Sequence, residues 1–460
     1  MLEDKDLYNN TIMISLKNKY KTGIYSFRIG IFLLASAPFF SVIFFLFSLL
    51  ISFLINGKAF LKDKWNYLFI ISFILMIMIS LIHTLNFYNL TISELKIDLN
   101  GIEENLINWN SYSSLIGLSN WIPFIFCFWG FQNYLQTSED RKVAAKFFIS
   151  GIVPVLISGY GQLWFNWYGP MDTLNGLIIW FQRDPGSGRG LSSLFNNQNY
   201  AGSWFNIVWP FSLALLFEKT KNLFKRSSSL IFAVLISFGS FLTTSRNAWG
   251  GLLLTIPLVL GPVSLYFALS ITFLIILFVF LKSKNLFPES INLIIDSLLP
   301  AKFNIFYQFS PENYTNNIYN RDSIFIFALR MILNSPIIGF GAATFPIYYY
   351  MANDIYLGHA HNLIIDTAFS YGAIVTIFIF FNILLLSFFT IKKIYLDSVA
   401  SSFKNIYFER AWCTSFIVLF SSQMFDVQYF DGRISLSFWI LLAGMRCIIK
   451  DQLEKKTANS

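Results

Sequence analysis

Apolar runs about as long as a bilayer is thick recur from one end of this chain to the other. A helix needs about 20 apolar residues to cross the hydrocarbon core. Backbone immersed in lipid must satisfy its own hydrogen bonds, so such runs fold as helices. Only 13% of the 460 residues are charged, while 55% are hydrophobic. A soluble domain carries about 25% charge, so a soluble fold is excluded. The expected fold is an all-α polytopic membrane protein. The net charge of +8 sits in short loops between apolar runs, so it points to membrane topology and not to nucleic acid. The three cysteines lie in or beside the runs and have neither metal-ligand nor disulfide spacing.

Charge bias orders the spans. Lys17, Lys19 and Lys21 precede the first run, which places the N-terminus in the cytoplasm. No cleavable signal is expected there. The first run is broken at Ala37-Pro38, and Lys58, Lys62 and Lys64 follow it, which suits a hairpin of two helices; a single tilted span is the alternative and would place those lysines outside. The loop with Glu94, Asp98, Glu103 and Glu104 is expected outside, and the segments Glu139 to Lys146 and Lys219 to Arg226 inside. Followed to the end, the pattern predicts about twelve transmembrane helices, with one long external loop between spans 9 and 10. The expected organisation is a cytoplasmic tail over 1–26 and an N-terminal transmembrane region over 27–164. A second transmembrane region covers 165–449 and includes the external loop 283–358, and a cytoplasmic tail covers 450–460. The expected location is a bacterial inner membrane, with both termini in the cytoplasm.

This topology gathers Arg189, Arg246, Arg321, His359 and His361 on one face. An arginine beside a span is expensive unless it snorkels or works. Its planar fork suits phosphate oxygens. A histidine where water meets lipid can take or give a proton near neutral pH. His359 and His361 stand before a long apolar run. If the helix starts near residue 360, a two-residue step turns the side chain by about 200°, so only one histidine would face the arginines. Asn197 and Asn199 enter another span, where amides also serve as helix caps.

Four motifs carry more than their parts: Arg189 with Asn197 and Asn199, Ser245-Arg246 between spans, Arg321 before Pro336, Gly339 and Gly341, and His361-Asn362 followed by Gly372. In this order and on one side, they resemble the O-antigen ligase family of bacterial membrane glycosyltransferases, which includes ligases and polymerases. The resemblance runs from about Arg189 to the last span. The ligase pattern of His, then Asn, Ser or Gln, then nine residues and Gly fits His361, Asn362 and Gly372. Two positions depart: Val375 stands where Gly, Thr or Tyr is usual, and Asn197-Gln198-Asn199 stands where Asn-Pro-Asn is usual.

The resemblance implies a reaction. A glycan on a polyprenyl pyrophosphate moves to an acceptor hydroxyl on the external face. Lipid A core is the acceptor for a ligase and a second lipid-linked glycan for a polymerase. Arg246 and Arg321 would hold the pyrophosphate, and His361 would be the general base. Arg189, Asn197, Asn199, His359 and Asn362 would contact substrate. The resemblance implies neither metal nor other cofactor, and partners limited to donor, acceptor and bilayer. Two other readings stay open: a small-anion transporter, as proposed for relatives with inorganic carbon, and a non-catalytic subunit of polysaccharide assembly. Matching Gly- or Pro-broken spans in two halves, which would favour transport, are not seen.

Overall fold

The computed structural model describes residues 2–86, 112–185, 190–218, 222–261, 264–283, 286–298, 321–396 and 405–458. These residues form a helical bundle. In order the helices are α1 (Leu2–Leu33), α2 (Pro38–Asn56), α3 (Trp65–Asn86), α4 (Ser113–Ile116), α5 (Ile122–Gly130), α6 (Ser138–Gly151), α7 (Val153–Trp164), α8 (Gln198–Leu216), α9 (Leu223–Leu242), α10 (Arg246–Leu260), α11 (Leu265–Ser283), α12 (Glu289–Leu298), α13 (Arg321–Asn334), α14 (Phe345–Asn353), α15 (Leu363–Ile391), α16 (Ile406–Ser422) and α17 (Gly432–Ala458). A two-stranded hairpin, β1 (Met171–Thr173) with β2 (Ile178–Trp180), lies between α7 and α8; Met171 pairs with Trp180.

Seven helical stretches among the described residues are long and apolar enough to cross a membrane. They are Pro38–Phe60, Trp65–Leu85, Ser113–Tyr134, Ser138–Trp164, Leu223–Leu242, Leu363–Leu396 and Gly432–Asp451. Other helices stand where spans were expected but are shorter or more polar. α10 has 15 residues, and α16 has 17 and carries Glu409 and Arg410. The described part of the stretch 283–358 holds α12, α13 and α14.

The first apolar run is two helices. Pro38 lacks an N–H and suits the first turn of a helix, so α2 starts there. The two helices run antiparallel: Ser41 Oγ donates to Gly30 O at 2.7 Å, and a Cβ on Gly23, a turn or two earlier, would meet Ile51. The centre of the bundle is α8, buried on every side from Ala201 to Ala214. Such a helix belongs to a core and not to a surface. It packs on α6, α9, α10 and α16.

One end of the bundle is held by charge. Arg141 and Glu409 are each about 1% exposed, and the Arg141 Nη2 lies 2.7 Å from a Glu409 oxygen and 3.0 Å from Asp451. The same guanidinium donates to the carbonyls of Leu135 and Gln136. A buried ion pair is tolerated when its remaining donors are bonded in this way. Arg141, read from sequence as a loop charge, therefore joins α6, α16 and α17. Glu409 lies in the first turn of α16, and Asp426 follows the other end of that helix, which is about 20 Å from Glu409 at 1.5 Å per residue.

Candidate functional site

At the end of α16 away from the Arg141 clamp, a cavity of about 680 Å³ opens among helix N-termini. Gln198 and Asn199 of α8, Ser245 and Arg246 of α10, and Arg321 of α13 line it, with Ser421, Ser422, Phe425 and Asp426 closing one side. The N-terminus of each of these helices brings about half a positive charge to the cavity. The two arginines, distant in sequence, meet there. Neither makes an ion pair among the described residues. Three N-termini and two free guanidinium groups make a site for a multiply charged anion.

The Ser-Arg motif has a backbone reason. Thr244 sits at a φ of +54°, which turns the chain from the end of α9 into α10 and leaves Arg246 in the first helical position. Gly251 allows α8 and α10 to meet, because a Cβ there would lie 2.3 Å from the Asn206 amide.

The histidines stand behind Asp426. Both rings reach the same carboxylate oxygen: His361 Nδ1 lies 2.9 Å and His359 Nε2 4.0 Å from Asp426 Oδ1. The expectation that only one would face the site fails because α15 has not yet begun. Asn362 is its N-cap, accepting from the N–H groups of Ile364 and Ile365, and His361 has a φ of +53°. Neither histidine lines the large cavity; Asp426 is their link to it.

Bonding assigns the protons. An ionised carboxylate only accepts, so His361 Nδ1–H donates to Asp426 and Nε2 keeps the lone pair. The His361 backbone N–H donates to His359 Nδ1, so neutral His359 carries its proton on Nε2. Burial, and next the neighbouring His361, push the His359 imidazole down to about 4 against the opposing pull of Asp426. Burial pushes the Asp426 carboxyl up, but the His361 hydrogen bond, the histidine charges and Gln428 outweigh it and hold it below the usual range. Asp426 Oδ2 accepts from Asn199 at 3.0 Å and Gln428 at 2.9 Å.

The ligand atoms of His359, His361 and Asp426 lie within 4.8 Å of one another, a spacing that a metal ion can use. In the hydrogen-bonded arrangement described above, His359 Nε2 carries a proton and both Asp426 oxygens accept hydrogen bonds.

The remaining sequence candidates divide. Arg189 lies outside the described residues. Asn197 caps α8, accepting from the Asn199 N–H at 2.7 Å, and lines a smaller polar recess of about 240 Å³. Asn362 donates to Met424 O, and Leu363 N–H to Gln423 O, which ties the histidine segment to the Asp426 loop. Sequence reasoning missed Asp426. Its signal was its place on the same expected face as the histidines.

The glycine motifs interlock. Gly372 breaks α15 with a φ of +81°, which frees carbonyls in the preceding turn. Phe340 N–H bonds to Phe369 O at 2.8 Å, Gly341 N–H to Ser370 O at 3.0 Å, and Ala373 N–H to Pro336 O at 2.7 Å. A Cβ on Gly372 would lie 2.1 Å from Ile337 O, and one on Gly339 2.5 Å from Phe369 O.

Fold and site together define a helical membrane protein with an anion cavity beside a carboxylate–histidine pair. Residues 231–380 match the family model described as O-antigen ligase, so the chain carries a domain of that family. The matched stretch holds Arg246, Arg321, the glycine turn and both histidines. No curated protein matches the chain.

Proposed function

We propose that the chain transfers a glycan from a polyprenyl-pyrophosphate donor to an acceptor hydroxyl, as an O-antigen ligase or polymerase does. The observation that carries this reading is the joining of Arg246 and Arg321 in one cavity whose wall, Asp426, holds His361. Arg246, Arg321 and the helix N-termini bind the pyrophosphate and take up the charge that grows as it leaves. Asp426 fixes His361 with Nε2 as base and steadies the imidazolium that forms, as in other carboxylate–histidine pairs. His361 Nε2 takes the acceptor proton. The acceptor oxygen bonds to the anomeric carbon, and the sugar–pyrophosphate bond breaks with its electron pair on the leaving oxygen. No metal ion is needed in this scheme. The acceptor is lipid A core or a second lipid-linked glycan, and the site faces the outside of a bacterial inner membrane. His359 and Asn199 hold the pair in place.

The test is reconstitution. Purified protein receives the polyprenyl-pyrophosphate glycan fraction extracted from its own cells. Free polyprenyl pyrophosphate together with a lengthened or newly attached glycan supports the proposal. Glycan that stays on its lipid carrier at every protein concentration refutes it. Uptake of labelled bicarbonate into protein-loaded vesicles would favour an anion carrier instead.

A further inference from the structure

A second cavity, of about 300 Å³, shares no lining residue with the first. Gly358 and Asp366, which flank the histidine segment in the sequence, both line it. Each cavity offers one carboxylate to that segment: Asp366 Oδ1 accepts from Ala360 N–H at 3.1 Å, and Asp426 Oδ1 from His361. The segment Gly358–Asn362 is thus tied by hydrogen bonds to one lining carboxylate of each space.

The lining is unlike that of the first cavity. Trp121, Phe345, Tyr371 and Phe430 supply aromatic surface, with Ser113 and Ser370 as hydroxyls. Among the described residues no lysine or arginine lines it, and the only charged group there is the Asp366 carboxylate. Such a space repels phosphate. It suits a sugar ring, which has an apolar C–H face and a rim of hydroxyls: aromatic surface covers the face, and a few polar groups meet the rim.

Resting on the transfer reading above, we propose that this cavity seats the acceptor, through a terminal sugar that carries no phosphate. The large cavity holds the donor pyrophosphate, and the histidine segment, bonded to a lining carboxylate of each cavity, carries the base. The attacking hydroxyl loses its proton to His361 Nε2, its oxygen joins the donor's anomeric carbon, and pyrophosphate departs into the arginine cavity. Donor and acceptor then enter from different sides and do not compete for one space.

Gly358→Phe and Phe430→Ala test this. A Cβ at Gly358 would meet only the Tyr356 hydroxyl, at 3.9 Å, so a larger side chain starts into open space. Phe430 is 39% exposed, and its loss removes one wall. The probe is the glycolipid acceptor fraction extracted from the protein's own cells, with inorganic pyrophosphate as probe of the other cavity. In both variants the acceptor KM should rise at least about tenfold while donor KM and pyrophosphate affinity stay unchanged. An acceptor KM that does not move, or that rises in step with the donor KM, overturns the proposal. Retention of the acceptor fraction on immobilised protein is read separately, so the site is tested without turnover. Wild-type protein that retains acceptor and loses it in Gly358→Phe supports the site even where transfer fails. Retention equal in both overturns it.

Discussion

His361 Nδ1 lies 2.9 Å from Asp426 Oδ1, and 65 residues of chain separate the two. The contact sets which imidazole nitrogen carries the proton, and so turns a histidine at a helix entry into a base. Asp426→Asn should leave donor binding intact and lower transfer about a hundredfold or more, as His361→Ala should. The double variant should be little worse than either single one, because the pair acts as a unit. His359→Ala should keep a substantial part of the activity. Equal turnover by wild type and Asp426→Asn in the reconstituted assay would show that the pair has no catalytic part.

Arg246→Ala and Arg321→Ala should each abolish transfer and weaken binding of inorganic pyrophosphate. Lysine at either place should restore only part, because a point charge does not replace a two-pronged contact. Both proteins should still insert in the membrane, since neither guanidinium forms an ion pair among the described residues. Normal pyrophosphate affinity in both alanine variants would remove the clamp from the mechanism.

Much of this site was legible in the sequence, and the reasons are physical. Arg246 and Arg321 stood out because a cation beside an apolar run is costly. His361 stood out because histidine is scarce in this chain. Pro38 marked the α1–α2 break because it cannot continue a helix. Asp426 was not legible, because an acid in a short polar loop looks the same whether or not a histidine folds onto it. The shared approach of His359 and His361 was misread because the helix was started too early; Asn362 caps it, and before a cap the turn of about 100° per residue does not apply. Arg141 was misread as a solvated loop charge because its partners, Glu409 and Asp451, come from distant parts of the chain.

His359 gives the fold a pH dependence. Folded, it titrates near 4; its ordinary value is 6.5. Between those values the unfolded chain holds a proton that the folded chain does not, so stability falls as pH is lowered from about 6.5 to about 4. Asp426 works lower down: its depressed carboxyl adds stability above its ordinary range that is lost as pH falls through its folded value. Thermal denaturation in detergent across this range should show a shallower slope for His359→Gln than for wild type. Parallel slopes would assign the dependence elsewhere.

The arginine cavity should face outward. Met351 in α14 is 53% exposed, and Phe224 at the start of α9 is 82% exposed beside the basic segment expected inside. The native cysteines Cys127, Cys413 and Cys447 are buried and should give little background. In intact cells, Met351→Cys should react with a membrane-impermeant maleimide and Phe224→Cys should not. The reverse pattern would turn the whole arrangement over, and the side of the reaction with it.

The glycine lock should be the least tolerant part of the domain. Gly372 combines a φ of +81° with backbone 2.1 Å from where a Cβ would stand. The left-handed backbone alone costs an L residue about 1–2 kcal/mol. The overlap with Ile337 O adds to this and has no flexible side chain to relieve it. Gly372→Ala should therefore push the turn at Gly339 off the broken helix, removing the bonds from Phe340 and Gly341 that hold α13 to α15. Because α13 carries Arg321 and α15 follows His361, the two ends of the site should separate. Gly432→Ala is the control: it opens α17 with nothing within 4 Å of its Cβ position, and should change stability by no more than about 0.5 kcal/mol. Purified in detergent, Gly372→Ala should melt well below wild type and bind pyrophosphate weakly, while Gly432→Ala should match wild type in both. If Gly372→Ala melts with wild type and binds pyrophosphate as well, the interlocked backbones do not hold the site together.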